Sequence, residues 1–252
     1  GKIRLYNLNT GLIYIGLLHA VKEFAYSNNY EIEIDPVLVP NNQPPERIIK
    51  TSKEPRDYQL EAYQHAIVNE RACFLSPTSS GKSLMIYMIG GYYKKKTLII
   101  VPTINLVFQM KNDFEEYAGK PLDIHCITGG VDKNTDAPIT ISTWQSIYKM
   151  PKQWFNQFEV VMGDEIHLFK ATSLKGIMEK LENCRYRFGF TGTFDESQTN
   201  KMTIEGLFGQ SLQVTTSREM IENNHSSDIK IKIIILKHDD ISKAKLKATR
   251  DT

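Results

Sequence analysis

Residues 74–84 read Phe-Leu-Ser-Pro-Thr-Ser-Ser-Gly-Lys-Ser-Leu, and this stretch constrains the chain more than any other. The apolar run 72–75 predicts a buried strand, the small residues after it predict a tight turn, and the apolar segment 82–93 predicts a buried helix. Backbone N–H groups in such a turn, together with the positive end of the helix dipole, bind anions. We therefore predict a phosphate-binding loop, with the Lys82 ammonium at the phosphates and the Ser83 hydroxyl at Mg²⁺.

The usual pattern of such a loop has a glycine six residues before the lysine, and this chain has Ser76 at that position. A chance Gly-Lys-Ser at an ordinary strand–turn–helix joint is the alternative that this stretch leaves open. The rest of the chain has to decide between the two interpretations.

The composition is typical of a globular protein, with 41% hydrophobic and 24% charged residues among 252. A net charge of +2 allows no more than a local nucleic-acid-binding surface. Three widely spaced cysteines without metal-ligand spacing predict buried, reduced thiols in a cytosolic protein, rather than a disulfide framework or a zinc site. The sequence has no run of 18 apolar residues and no signal-peptide pattern, so we expect no membrane partner. The first residue is Gly1, which suggests a fragment or a processed product.

Short apolar strands alternate with amphipathic helices after residue 54, which predicts a parallel α/β sheet covered by helices on both faces. The strands are expected at 72–75, 97–101, 124–127, 139–142, 159–162, 186–190 and 212–214. The helices are expected at 58–69, 82–93, 105–117, 143–149, 172–182 and 217–222. A last apolar strand at 228–236 and a charged tail at 237–252 complete the predicted series.

The first 35 residues follow a different pattern. Runs at 2–6, 11–16 and 31–34 predict short strands, and apolar residues at helical spacing in 17–26 predict one helix. We expect a small α+β lobe at 1–35, and this pattern leaves open whether the lobe binds DNA or only packs. Four prolines among residues 36–45 predict a stiff linker. The linker is placed at 36–53, and the second domain at 54–236.

The apolar run 160–162 leads into Gly-Asp164-Glu165-Ile-His167, in which Asp164 lies eighty-two residues after Lys82. An aspartate at the end of a buried strand can hold Mg²⁺, and a glutamate beside it can orient an attacking water. Alone, Asp-Glu after an apolar run is more often a solvated strand end. In a chain that also carries a phosphate loop, the pair predicts nucleotide hydrolysis.

Seven short motifs, in the order in which they occur along the chain, resemble those of the superfamily 2 helicases and translocases that have a D-E-x-H box. Each motif is weak alone, and the ordered series over residues 55–214 carries the resemblance. This family often begins its phosphate loop with a small residue other than glycine, which accommodates Ser76. The motifs are Arg56-Asp57-Tyr58-Gln59, Pro77-Thr78-Ser79-Ser80-Gly81-Lys82-Ser83, Val101-Pro102-Thr103 through Gln109, Thr128-Gly129-Gly130, Ser142-Thr143-Trp144-Gln145-Ser146, Asp164-Glu165-Ile166-His167 and Thr191-Gly192-Thr193.

The resemblance implies the RecA-like fold of P-loop NTPases and an ATP-dependent DNA helicase or translocase acting in recombination, repair or replication-fork remodelling. It implies that Gln59 recognises adenine and that residues 77–83 bind ATP. It also implies that Ser83 and Asp164 hold Mg²⁺, and that Glu165 positions or deprotonates water. Lys82 and His167 complete the implied catalytic set.

The same resemblance implies contacts to single-stranded or branched DNA. His167, Thr191 and Thr193 are implied to couple nucleotide state to DNA, although a surface imidazole remains an alternative for His167. Hydroxyl and backbone N–H groups after strands can hold phosphates without recognising sequence, and ordinary turns would look much the same. The implied DNA contacts are Thr103, Gly129, Gly130 and Thr143.

Motors of this superfamily have a second RecA-like lobe, in which a Gln…Gly-Arg-x-Gly-Arg segment supplies arginine fingers. The present sequence contains no such segment. We therefore expect the nucleotide-binding half of a monomeric motor, with the second lobe as its partner. Two alternatives stay open: the motor part of a restriction-enzyme subunit, and a nucleic-acid-binding module that holds ATP without hydrolysing it.

Overall fold

The computed structural model describes residues 6–169, 171–193 and 198–223, and in these ranges seven parallel strands form one sheet. The order across the sheet is β3-β4-β2-β5-β6-β1-β7, and every neighbouring pair is parallel. The strands are β1 Arg71–Leu75, β2 Thr97–Val101, β3 Ile124–Ile127, β4 Ile139–Thr143, β5 Val160–Gly163, β6 Tyr186–Thr191 and β7 Ser211–Gln213.

Helices cover both faces of this sheet. Helices α2, α3 and α4 bury their apolar residues against one face, and α5, α6, α7 and α8 against the other. The helices are α1 Leu18–Ser27, α2 Asp57–Asn69, α3 Lys82–Tyr93, α4 Ile104–Ala118, α5 Trp144–Ile147, α6 Lys152–Phe155, α7 Ala171–Lys180, α8 Gln198–Phe208 and α9 Ser217–Glu222. Three short 3-10 helices lie at Ile15–Leu17, Pro36–Leu38 and Ile166–Leu168.

Strand β2 shows why a central strand of this sheet is mostly apolar on both faces. Its five residues are all buried. Ile99 and Val101 belong to the core under α2–α4, whereas Leu98 and Ile100 belong to the core under α5–α8. Because side chains alternate between the two faces and both faces are covered, both sets are apolar.

The predicted parallel α/β architecture is confirmed. The predictions at 82–93, 97–101, 124–127 and 217–222 match residue for residue, and the other predicted elements after residue 54 agree within two residues at each end. Helices α6 and α8 were not predicted. Gly206 weakens the helical signal of α8, and a Cβ at this position would lie 3.2 Å from the Tyr14 Cβ. The predictions at 228–236 and 237–252 lie outside the described residues.

The strands predicted at 11–16 and 31–34 are wrong. Before residue 57, the described residues contain a single antiparallel bridge, between Tyr6 and Ile13, and no strand. Alternation of apolar and polar residues makes a strand only where a second strand pairs with its backbone, and here the described chain provides none. Of the predicted strand at 2–6, only Tyr6 is described. The helix predicted at 17–26 is confirmed as α1, shifted by one residue.

The N-terminal segment packs directly on the larger unit. A Cβ at Gly16 would lie 2.0 Å from the carbonyl oxygen of Glu205 in α8, so the two backbones are in contact. The Tyr14 hydroxyl donates to Glu179 of α7 at 2.6 Å. Further along, Ser52 N donates to the Tyr117 carbonyl at 2.9 Å, which ties the end of the segment 36–53 to α4.

The thiols of Cys73, Cys126 and Cys184 are free. Cys73 and Cys184 are buried, and burial raises the pKa of both, whereas Cys126 is only half-buried, contrary to the prediction. None of the helices within the described ranges has the length and apolar character needed to cross a membrane.

Candidate nucleotide and nucleic-acid sites

The loop after β1 has the backbone of a phosphate cradle. Ser76 N donates to the Thr191 carbonyl at 2.9 Å, and Ser80 N donates to the Pro77 carbonyl at 3.2 Å. Gly81 precedes α3 with φ +78°, and a Cβ there would lie 2.3 Å from Gln59 Nε2. Both the positive φ and the close approach therefore require glycine at position 81.

Ser76, where the usual pattern has glycine, is accommodated in the loop. Its side chain is fully buried, and its hydroxyl donates to the Ser80 hydroxyl at 2.5 Å. This bond joins the two ends of the turn and satisfies both buried hydroxyl groups. The departure from the pattern therefore adds a link across the loop.

Lys82 points its ammonium into the loop. The side chain is only 9% exposed, and Nζ donates to the carbonyl oxygens of Ser76 at 3.3 Å and Pro77 at 3.4 Å. The same nitrogen lies 3.0 Å from Glu165 Oε1. These three oxygen partners hold the ammonium where a phosphate entering the loop can form a charge-assisted hydrogen bond with it.

Asp164 and Glu165 follow β5, and β6 separates this strand from β1 in the sheet. Asp164 is 6% exposed, and burial raises the pKa of its carboxyl group to about 6, while Lys82 opposes this rise. Glu165 adopts φ +48°, and its N–H donates to Asp164 Oδ1 at 3.0 Å. The left-handed backbone thus turns the second carboxylate toward the loop.

The residues predicted to hold Mg²⁺ suit that ion. Ser83 and Asp164 offer hydroxyl and carboxylate oxygens, the hard ligands that Mg²⁺ prefers. Within residues 6–169, 171–193 and 198–223, no three His, Cys, Asp or Glu side chains group as a metal cage. Mg²⁺ is commonly held by one or two carboxylates together with substrate phosphates. The Ser83 hydroxyl lies 2.8 Å from the Tyr117 hydroxyl.

Gln59 braces the loop from α2. It is 3% exposed, Oε1 accepts from Arg56 N at 2.9 Å, and Nε2 donates to the Ser80 carbonyl at 2.8 Å. The neighbouring Tyr58 hydroxyl donates to the same carbonyl at 3.0 Å. In this structure the Gln59 amide is therefore bonded within the protein, and adenine recognition stays a prediction.

His167 connects the strand end of β5 to that of β6. Its Nδ1 lies 2.8 Å from Thr191 Oγ1 and 3.5 Å from Glu165 Oε2. Thr191 is fully buried and donates to the Thr193 carbonyl at 2.8 Å. The imidazole is consequently not a free surface group, and a chain of polar contacts joins Glu165 to Thr193.

The four predicted DNA-contact residues line one groove. Thr103 caps α4, where its hydroxyl accepts from Leu106 N at 3.4 Å, and the Thr143 hydroxyl lies 2.9 Å from that of Ser146. The groove has a volume of about 550 Å³ and lies at the carboxyl ends of β2, β3 and β4. Its lining residues are Pro102, Thr103, Ile104, Thr128, Gly129, Gly130, Lys133, Thr143, Gln145 and Ser146.

Two residues of these sites were not predicted from the sequence. Lys133 lies in an irregular loop with no motif, and Tyr117 is one aromatic residue among several on an amphipathic helix. Neither position gives a signal of its own in the sequence. Only the folded chain brings them to the groove and to Ser83.

The sheet is parallel, the phosphate loop follows β1, and the Asp-Glu pair follows β5, which lies two positions from β1 across the sheet. This arrangement defines a RecA-like P-loop NTPase core. Residues 52–196 match the family model described as type III restriction enzyme, res subunit. The chain belongs to this family and is a superfamily 2 helicase domain, as the motif series implied.

Similar proteins include helicases and translocases. The chain is 34% identical to the ATP-dependent DNA helicase uvsW of Enterobacteria phage T4, over 98% of this chain and 53% of the helicase. It is 33% identical to the DNA 3'-5' translocase XPB2 of Sulfurisphaera tokodaii, over 65% of this chain and 36% of the translocase. The chain therefore spans about half or less of these relatives.

Solved structures give the same fold. A crystal structure of the UvsW helicase from bacteriophage T4 matches with a TM-score of 0.74 and 35% identity, over 84% of this chain and 83% of that one. The Sulfolobus solfataricus SWI2/SNF2 ATPase core in complex with double-stranded DNA matches with a TM-score of 0.56 at 17% identity, over 65% and 37% of the two chains. The predicted RecA-like fold is thereby confirmed.

Proposed function

We propose that this chain is the nucleotide-binding half of an ATP-dependent DNA helicase or translocase. One observation carries the proposal: the Lys82 ammonium lies 3.0 Å from Glu165, inside a phosphate loop and beside the buried Asp164. Phosphoryl transfer to water needs a cation at the phosphates and a carboxylate that orients the water, and these groups provide both. The names of the phage helicase and the archaeal translocase agree with this function.

Each residue of the nucleotide site has a proposed role. Residues 77–83 bind the phosphates, and Ser83 and Asp164 hold Mg²⁺, which when bound supplies charge neutralisation at the β- and γ-phosphates. Glu165 positions or deprotonates the attacking water. Gln59 recognises adenine, for which its side chain exchanges one of its present partners.

We propose that the groove of Thr103, Gly129, Gly130 and Thr143 binds DNA phosphates without recognising sequence. Hydroxyl groups and glycine backbone at strand ends suit single-stranded or branched DNA. The contacts from His167 through Thr191 to Thr193 are proposed to couple nucleotide state to this groove. The phage relative is named an ATP-dependent DNA helicase, which supports action on DNA. A role in recombination, repair or replication-fork remodelling, in the cytoplasm, is part of the same proposal.

The remaining organisation is also proposed. Residues 1–35 form part of an accessory DNA-binding lobe, 36–53 a linker and 54–236 the first RecA-like domain. Residues 237–252 lead to a second RecA-like lobe that acts as the partner in a monomeric motor. The absence of a Gly-Arg-x-Gly-Arg segment from the sequence supports this division of labour.

Steady-state phosphate release tests the proposal. An arginine finger typically contributes about 10³–10⁵ in kcat, so the 252-residue chain should bind ATP yet hydrolyse it barely above background, with or without DNA. A longer protein with the second lobe should show DNA-stimulated hydrolysis. Robust turnover by the 252-residue chain would contradict the half-motor proposal, and a longer protein that binds ATP without turnover would favour the non-hydrolysing module.

A further inference from the structure

The groove at the ends of β2, β3 and β4 is almost free of charge. Thr103, Gly129, Gly130 and Thr143 offer only neutral hydroxyl and backbone groups. Among the groove-lining residues in the described part of the chain, Lys133 alone has an ionisable side chain. The positive charge available to a phosphate in this groove therefore comes from one residue.

The loop that carries Lys133 is anchored at its backbone. The Trp154 indole Nε1 donates to the Lys133 carbonyl at 2.8 Å, and Trp154 itself is buried in the core under α5–α8. One residue earlier, the Asp132 carbonyl lies 2.7 Å from His125 Nε2 of β3. Because both contacts use main-chain oxygens, the loop is held in place while the Lys133 side chain stays available at the groove.

The charge of Lys133 is not neutralised by a carboxylate. Within the residues that the structure covers, its ammonium takes part in no ion pair, whereas Lys82 and Lys152 pair with carboxylates at 3.0 and 2.5 Å. The carboxylate of its neighbour Asp132 accepts from Asn134 N at 3.1 Å. A half-buried lysine without a counter-ion favours binding of an anion at this place.

The groove also has room beside this lysine. A Cβ built on Gly129 or Gly130 would meet no described atom within 4 Å. The space beside these two residues is therefore open to the backbone of an external ligand. A sugar–phosphate strand has the shape and the charge to use both features.

We infer that Lys133 is the cationic phosphate contact of this groove, and that the groove neutralises one phosphate per bound strand. The inference rests on the proposed DNA-binding function and makes it quantitative. Counterions are released where a cation neutralises a phosphate, so the neutral contacts at Thr103, Gly130 and Thr143 add affinity with little salt dependence. The salt dependence of DNA binding in the groove is then that of a single neutralised phosphate.

The test is the salt dependence of binding to a short single-stranded oligothymidylate. For Lys133→Gln, the slope of log K against log salt should become shallower by about 0.7, the value for one neutralised phosphate on a single strand. Lys133→Arg should keep the slope of the parent. Thr143→Val should weaken binding while leaving the slope unchanged, because it removes a neutral contact.

Lys120→Gln is the matched control. Lys120 is exposed, lies outside the groove lining and has no ion pair among the described residues, so its loss should leave both affinity and slope as in the parent. A parental slope in Lys133→Gln would overturn the inference and leave DNA binding intact. A parent chain that binds no oligonucleotide at low salt would instead overturn the proposed DNA-binding function.

Discussion

The Lys82 ammonium and the Glu165 carboxylate lie 3.0 Å apart, so the phosphate-binding cation and the proposed water-orienting anion are partners of each other. A phosphate that enters the loop has to share the ammonium with this carboxylate. Each group therefore affects the function of the other, and the two can be separated by substituting one at a time.

Lys82→Ala should weaken Mg·ATP binding by about 1.5–3 kcal/mol, the range for charge-assisted hydrogen bonds. The lost interaction is that of a buried ammonium with the phosphates. Titration with a fluorescent ATP analogue measures the affinity, and Lys120→Ala serves as the control for loss of a surface charge. Equal affinity in Lys82→Ala and the parent would refute the phosphate-loop assignment.

Glu165→Gln keeps the size of the side chain and removes its charge. In a protein that includes the second lobe, this variant should lose ATP turnover, because a neutral amide cannot accept a proton from water. Its ATP affinity should equal or exceed that of the parent, since the carboxylate no longer competes for Lys82. A variant that binds ATP more weakly would show that Glu165 supports the loop rather than the chemistry.

Asp164→Asn should stabilise the fold in a pH-dependent way. Burial raises the pKa of Asp164 from 3.8 to about 6, so the folded state binds more protons than the unfolded state between these values. The free energy of unfolding of the parent therefore falls as pH rises through this window. Above the window, the folded state bears the full cost of burying the ionised Asp164 carboxylate. At neutral pH the variant should gain about 2–3 kcal/mol, at 1.36 kcal/mol per pKa unit.

Urea unfolding of this variant and the parent at about pH 5 and pH 8 measures the effect. The gain from Asp164→Asn should be smaller at the lower pH, where the parental carboxyl is largely protonated in the folded state. The variant should also bind Mg·ATP more weakly than the parent. A gain in stability that is the same at both pH values would contradict the raised pKa.

Thr191→Val should uncouple DNA from ATP hydrolysis in the longer protein. Valine preserves the volume and removes the hydroxyl that bonds His167 Nδ1 and the Thr193 carbonyl. Coupling free energies are about 1–3 kcal/mol, so DNA stimulation should fall at least about fivefold while ATP binding persists.

Thr140→Val is the matched control for this change. Its hydroxyl is buried without a hydrogen-bond partner in the described part of the chain, so valine removes no bond there. The measurement is ATP turnover at saturating DNA divided by turnover without DNA. If DNA stimulates ATP turnover of the Thr191→Val variant as strongly as that of the Thr140→Val variant, the His167–Thr191 contact is only structural.

Gly16→Ala should loosen the N-terminal segment from α8. Its Cβ would lie 2.0 Å from the Glu205 carbonyl oxygen, so a backbone has to move, at a cost of about 1–3 kcal/mol. Hydrogen exchange in α1 should rise. Gly176→Ala in α7 is the control: its Cβ meets no described atom within 4 Å, and alanine should add up to about 1 kcal/mol of helix stability. Unchanged exchange in Gly16→Ala would rule out the tight contact.

The local pattern of apolar and polar residues predicted those strands and helices that are buried along at least half of their length. Strand β2 is buried along its whole length and helix α3 along half of its residues, so both are mostly apolar, and both were located to the residue. The run 31–34 has the same alternation as a true edge strand. Whether such a run pairs depends on a partner elsewhere in the chain, which local pattern does not contain.

The candidate sites also contain residues that the sequence predicted and residues that only the folded structure places there. The motif residues from Lys82 to His167 were found because phosphate and metal chemistry restrict residue types at fixed spacing. Tyr117 and Lys133 act through positions that helix packing and a loop anchor create, so their spacing in sequence carries no information. Gln59 was found through its motif, but its packing against Gly81 follows only from the structure.

The placement of β1 between β6 and β7 also determines when the nucleotide site can form. Arg71 pairs with Arg187, and Cys73 with Ser211, so both neighbours of this strand follow it by more than a hundred residues. A ribosome delivers the phosphate loop before both neighbours of its supporting strand, so β1 stays unpaired in the sheet until β6 and β7 have emerged. The early chain then carries an apolar strand with two open edges, a target for aggregation or chaperones. The phosphate loop is thus synthesised more than a hundred residues before either of the strands that secure it.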